Sequence, residues 1–234
     1  MTRDMPTPLL SIVIPTRESA GALPATLAAL DEGRRAGLVG EIIVADGDSR
    51  DATAAIARQH GARIVAAPPG RGPQLAAGAA AAQGDWLLFL HADSRPVAGW
   101  SGALARFAAD PKHRERAAAF RLTLDDADPR ARRIERLANW RARTLGLPYG
   151  DQGLFIARAF YERLGGFRPL PLMEDVELVR RIGRRRLTLL ESAVITSAGR
   201  YRRDGWWARP LRNLLLLSAY FLGVPPRLLR RCYE

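Results

Sequence analysis

The chain has 234 residues, 47% of them apolar, which is enough for one large domain or two small ones around a substantial core. Its one cysteine, Cys232, excludes an internal disulfide and a cysteine-based metal site, and a reducing cytoplasm is the compartment expected. The net charge of +12 is carried almost wholly by arginine, with Lys112 the only lysine, and so large an excess suits nucleic acid, anionic lipid or phosphorylated small molecules.

In chain order, residues 1–8 read as a disordered leader, without the basic and then apolar pattern of a secretory signal. Residues 9–14 read as the first strand, ending at Pro15, Thr16, Arg17 and Glu18. Pro24 suits the first turn of a helix to about residue 32. Residues 41–45 read as a second strand, ending at Asp46-Gly47-Asp48-Ser49. Asp51 can cap a helix over 52–59, which Gly61 stops. A third strand is expected over 63–66. The loop Pro68-Pro69-Gly70-Arg71-Gly72 and an alanine-rich helix over 73–83 follow. Then comes Trp86-Leu-Leu-Phe-Leu-His-Ala-Asp-Ser-Arg-Pro96. Its short apolar run fits a strand buried on both faces, and it stops on His91 and Asp93.

Alternation of this kind predicts an α/β fold, with a mostly parallel sheet flanked by helices. Loops at one end of a parallel sheet converge, so Glu18, Asp46, Arg71 and Asp93 should gather where ligands collect, as at a nucleotide-diphosphate site. Asp93 is placed to hold a hard divalent cation against a phosphate. The competing reading is that Asp93 and Ser94 only cap a turn closed by Pro96. Neither a Gly-x-Gly-x-x-Gly nor a Walker loop is present, which argues against a dinucleotide fold of the usual type.

The second half is less regular. A helix is expected over 98–108 and a strand over 117–124. A strongly basic helix over 129–145 has Ile134, Leu137 and Trp140 on one side, and Trp86, Trp100 and Trp140 read as packing residues. Tyr149-Gly150-Asp151-Gln152-Gly153 precedes a short strand over 154–157 and a helix over 158–164. Glu174-Asp175-Val176-Glu177 opens a helix to about residue 182, where acids are also favoured simply by the macrodipole. A last strand is expected over 187–196.

These landmarks resemble the inverting family-2 glycosyltransferases of GT-A (Rossmann-like) fold, and within them a small bacterial subgroup. The resemblance runs from Ser11-Ile-Val-Ile-Pro-Thr to Arg-Arg-Asp-Gly-Trp206. It rests on Gly-Arg-Gly-x-Gln, Leu-His-Ala-Asp-Ser, Tyr-Gly-Asp-Gln-Gly and Met-Glu-Asp-Val-Glu in that order. It implies one domain over 1–234, with a nucleotide-binding half (9–95), an acceptor and catalytic half (96–198) and a tail (199–234). Pro15, Thr16 and Glu18 would lie under the nucleoside. Asp46 would accept from the base, uracil being expected, and Arg71 would contact base or phosphate. Asp93 would be the metal-binding acid of the Asp-x-Asp motif, bridging Mg²⁺ or Mn²⁺ to the diphosphate. His91 stands where the family has its first acid, as a ligand better suited to Mn²⁺ or as a neighbour of the ribose. Asp175 would be the general base for an acceptor hydroxyl, and Asp151, Gln152 and Glu174 would sit near sugar or acceptor. Arg200 and Arg203 would steady the diphosphate, in a loose likeness to Gln-x-x-Arg-Trp.

The tail joins charge to apolarity. Residues 199–234 carry eight arginines and two acids, half the net charge, around the apolar run 214–224. That run is shorter than the ~20 residues a membrane span needs. Its tryptophan and arginine flanks suit an amphipathic helix lying on the inner face of the cell membrane, and so a lipid-linked acceptor. A helix packed on the domain or on a second subunit is the competing reading. Two other functions stay open. A nucleotidyltransferase should carry a glycine-rich basic loop after the first strand, which Pro15-Thr16-Arg17-Glu18 is not. A nucleic-acid binder would rest on the helix over 129–145 alone, and no nucleic-acid partner is expected.

Overall fold

The structure is a computed structural model, and it describes residues 9–233. The leader expected over 1–8 lies outside the described residues. In chain order come β1 (Leu10–Thr16), α1 (Leu23–Arg35), β2 (Val39–Asp46), α2 (Thr53–Gln59), β3 (Arg63–Ala66), α3 (Arg71–Ala81), β4 (Trp86–Phe89) and β5 (Ser94–Pro96). The second half holds α4 (Trp100–Ala109), β6 (Ala117–Leu124), α5 (Pro129–Leu145), β7 (Leu154–Ala157), α6 (Arg158–Arg163), α7 (Glu174–Ile182) and β8 (Leu187–Thr196). The tail forms α8 (Gly199–Asp204), α9 (Ala208–Phe221) and α10 (Pro226–Tyr233).

Among the described residues the strands form one sheet in the order β3-β2-β1-β4-β7-β6-β8-β5. β1 lies parallel between β2 and β4, and β3 extends the parallel half. β7 then joins β4 antiparallel and pairs antiparallel with β6. β6 runs parallel to β8, whose far side takes the short β5 antiparallel. β1 and β4 are buried at every position, as their unbroken apolar runs require of strands covered on both faces. α3 lies close on β1: a Cβ on Gly78 would collide with the Val13 side chain, so glycine sets that approach. Across the seam between the two halves, Trp86 stacks on Phe155 at 4.7 Å. Trp100 donates from Nε1 to the Ala29 carbonyl at 3.1 Å.

Two expectations need correction. Ser94–Pro96 is a strand paired with β8, not only a turn. On α5 the buried face is Ala131, Glu135, Ala138 and Ala142, while Leu137 and Trp140 are 58% and 54% exposed. Trp86 and Trp100 are fully buried, but Trp140 is not a packing residue. The cause is the β6 backbone. Asn139 exchanges hydrogen bonds with both the N–H and the C=O of Leu122, at 2.8 and 3.0 Å, and Glu135 accepts from Leu124 N at 2.6 Å. Buried backbone groups without a strand partner need such polar ligands, and this turns the face of Ala131, Glu135, Ala138 and Ala142 inward, with Ile134 half-buried against Leu124, Ala131 and Ala198.

Candidate active site

The ends of β1, β2 and β4, the start of α3, the start of α7 and the tail helices enclose a cleft of about 520 Å³. Loops on the parallel half are tied to one another by side chains. Gln74, the glutamine of Gly-Arg-Gly-x-Gln, is buried and donates from Nε2 to the carbonyls of Thr16 at 2.6 Å and Ala45 at 2.9 Å. Asp46 accepts at Oδ1 from the hydroxyls of Thr16 (2.9 Å) and Ser49 (2.6 Å), and at Oδ2 from Ser49 N (2.9 Å). Arg50 N donates to Glu18 at 2.7 Å. Thr26 of α1 donates to the Ala92 carbonyl at 2.7 Å, which fixes the loop that carries His91 and Asp93.

On the other side, Asp175 opens α7 with both oxygens engaged: Oδ2 by Gly150 N and Oδ1 by Val176 N, each at 2.7 Å. An ionised carboxylate offers about four acceptor positions, so both oxygens keep capacity toward the cleft. Gly150 is required here. A Cβ at that position would stand 2.6 Å from His91 Nε2 and 3.3 Å from Asp175 Oδ2, so His91 and Asp175 close over the same backbone atom. The Asp151 carbonyl accepts from Thr196 Oγ1 at 3.3 Å, and Thr196 is bonded to Ser94 at 3.0 Å. That chain of bonds ties the Gly150–Gln152 turn to the ends of β8 and β5. Glu18 (φ 49°) and Met173 (φ 64°) both line the cleft with left-handed backbones. Such strain in non-glycine residues collects at functional sites.

The electrostatics are those of a crowded carboxylate site. Burial, and then the charge of Asp175, push Glu174 up to about 7 against the pull of Arg71, whose Nη1 is 3.9 Å away. Burial raises Asp151 above the usual carboxylate range; Arg141 opposes this and Asp175 and Asp93 add to it. Asp151 Oδ1 is sealed from solvent and has no hydrogen-bond partner. Burial, with the charges of Arg71 and Arg200, holds His91 well below its ordinary value, so its ring is neutral.

The cleft thus brings together Pro15, Thr16, Glu18, Arg71, His91, Asp93, Asp151, Glu174, Asp175 and Arg200. Asp46 is not among its lining residues and holds Thr16 from below. Gln152 is fully buried and donates to the Phe120 carbonyl at 3.0 Å. Arg203 points to Asp204 at 2.9 Å, with its side chain 75% exposed. Cleft residues not singled out in the sequence include Gln74, Tyr149, Arg209 and Asn213. Gln74 and Tyr149 stand inside quoted motifs. For Asn213 the available signal was slight, a polar residue standing just before the apolar run 214–224. Among the described residues no group of three or more His, Cys, Asp or Glu forms a ready metal cage.

The chain belongs to glycosyl transferase family 2, whose pattern matches residues 11–163. An uncharacterized glycosyltransferase of Mycobacterium tuberculosis is 37% identical over 91 residues, which span 38% of this chain and 39% of that relative. The fold is that of GT-A enzymes. Glucosyl-3-phosphoglycerate synthase from Mycobacterium tuberculosis, solved with Mn²⁺, UDP and glucosyl-3-phosphoglycerate, superposes with a TM-score of 0.58 at 19% identity, over 81% of this chain and 70% of that one. Mannosyl-3-phosphoglycerate synthase from Rubrobacter xylanophilus gives 0.61 at 17%, over 94% and 80%.

Proposed function

We propose that the protein is a metal-dependent inverting glycosyltransferase, moving a sugar from a nucleoside diphosphate sugar, most simply a UDP-sugar, to an acceptor hydroxyl. The observation that carries this reading is that Asp93, at the end of the parallel half, and Asp175, at the start of α7, line one cleft with Arg71 and Arg200. Asp93 fits a divalent cation. Mg²⁺ and Mn²⁺ sites of this kind use one or two carboxylates and are completed by substrate phosphates, so no protein cage is needed. The buried, partnerless Asp151 oxygen marks a site that expects further polar ligands. Bound there, Mn²⁺ or Mg²⁺ would supply positive charge opposite the departing diphosphate.

The chain's own residues do the rest. Pro15, Thr16 and Glu18 bound the nucleoside pocket, and Asp46 contributes to base recognition through Thr16. The neutral His91 offers a ring nitrogen to the ribose or to the cation. Asp175, held by two backbone N–H groups, takes the proton of the acceptor hydroxyl as its oxygen bonds to the anomeric carbon. The bond to the diphosphate breaks on the opposite face, and configuration inverts. Arg71 and Arg200 offset the charge that develops on the leaving oxygens. Asp175→Asn should lower turnover by about 10²–10⁴-fold, the usual worth of a positioned base, while UDP affinity stays unchanged. A variant within about tenfold of the parent, or a product that retains the donor's anomeric configuration, would sink this assignment.

The acceptor belongs to the same reading. Leu211, Leu214 and Leu215 project from α9 into solvent, and Arg227 and Arg230 are exposed on the helix that follows, which favours a lipid-linked acceptor met at the inner membrane surface. No helix among the described residues is long and apolar enough to cross a membrane.

A further inference from the structure

Most arginines of α5 are exposed, but Arg141 is half-buried and turned to the segment that follows the helix. The helix ends at Gly146, whose left-handed backbone (φ 64°) redirects the chain. Residues 147–153 then run to β7, and Tyr149, Gly150 and Asp151 line the cleft on the way. Apart from one turn at Gly150–Gln152, this segment has no regular structure, so side chains must hold it in place.

Arg141 holds it at three points. Its Nε donates to the Leu147 carbonyl at 2.8 Å, its guanidinium lies 3.3 Å from the centre of the Tyr149 ring, and its Nη2 stands 3.5 Å from Gln152 Oε1. The first contact is a charge-assisted hydrogen bond, and the second is a stack that a planar guanidinium makes and an ammonium does not. One residue beyond Tyr149, Gly150 N donates to Asp175 Oδ2 at 2.7 Å. The other oxygen of Asp175 is held only from its own helix, by Val176 N. The Gly150 bond is therefore the one that ties the carboxylate to the opposite wall of the cleft. A shift of the segment would move that bond. Arg141 makes no hydrogen bond or ion pair with Asp175 itself, so its influence on the carboxylate runs through the segment.

We propose that Arg141 is a positioning residue for the acceptor base: by clamping Leu147 and Tyr149 it places the Gly150 N–H that aims the Asp175 carboxylate. The proposal rests on the reading of Asp175 as the group that takes the acceptor proton. UDP release is followed with Mn²⁺ and glycerol from UDP-glucose, UDP-galactose and UDP-N-acetylglucosamine, and the best donor is kept. The chains compared are the parent, Arg141→Lys, Arg141→Ala, Asp175→Asn and Arg141→Lys combined with Asp175→Asn. Calorimetry gives the affinity for UDP, and NMR gives the exchange rate of the Gly150 amide.

A misplacement of about 1 Å costs up to about 10²-fold in rate. Arg141→Lys should therefore lower kcat about tenfold or more with UDP affinity unchanged. Arg141→Ala should lose at least as much, and added guanidinium ion should restore part of its rate. Because the arginine acts through Asp175, the combined variant should be no slower than Asp175→Asn alone. The Gly150 amide should exchange faster in Arg141→Lys than in the parent. Arg141→Lys keeps the charge and the aliphatic stem, so it tests the clamp even if Arg141→Ala does not fold. Losses that multiply in the combined variant would overturn the proposal, as would a fall in UDP affinity equal to the fall in kcat. An Arg141→Lys chain as fast as the parent, beside a slow Asp175→Asn, removes the positioning role alone. Full activity in Asp175→Asn removes the base reading and the positioning role with it. If the parent releases UDP from none of the three donors, the exchange rates decide, and equal exchange in parent and Arg141→Lys overturns the clamp.

Discussion

Glu174 and Asp175 are adjacent acids with different surroundings. Asp175 is bonded by two backbone N–H groups, whereas Glu174 is 3% exposed with Arg71 3.9 Å away. Burial and the neighbouring charge raise Glu174 from 4.5 to about 7. The folded chain therefore holds this proton more tightly than the unfolded one. Its contribution to stability is fully present below about 4.5 and is lost as pH rises to about 7. Glu174→Gln should flatten the pH dependence of the melting temperature across that window, and the same slope in parent and variant would contradict this. At the residue scale most of the cleft lining was legible, because loops at one end of a parallel sheet converge and bring their carboxylates and arginines together. Asn213 and Arg209 were not, since the face of α9 that turns inward is decided by the pairings of Arg209 and Arg212 with Asp204 and not by the order of residues in the helix.

Helices show where pattern reading holds and where it fails. α1, α3 and α7 lie within a few residues of their expected places, because proline, glycine and acidic start signals are local. α5 is turned so that its alanine face is buried and Leu137 and Trp140 are left outside, since Asn139 and Glu135 are needed at the β6 backbone. α9 likewise leaves Leu214 and Leu215 at 57% and 61% exposure, and Leu222 at 86%. Arg227 and Arg230 are exposed on α10. Exposed leucines beside arginines suit the interface of an anionic bilayer. The chain should float with vesicles containing anionic lipid, and Leu214→Arg with Leu215→Arg should stay behind. Equal flotation of both, or of neither, would remove the membrane reading.

Over the whole molecule, the parallel half follows from alternation, since each β-helix-β step is nearly local. The insertion of β7 between β4 and β6, and of β8 between β6 and β5, does not. Those pairings join residues far apart in sequence, and register there is set by packing. Even so, the order of the sheet brings the loop of Asp93 and the helix start of Asp175 to one cleft. Its most direct test is calorimetric titration of UDP into the chain with and without Mn²⁺, on the parent and on Asp93→Ala. Binding should need Mn²⁺, and Asp93→Ala should abolish it. Binding of UDP that is indifferent to both Mn²⁺ and Asp93, or no binding of any nucleoside diphosphate, would contradict it.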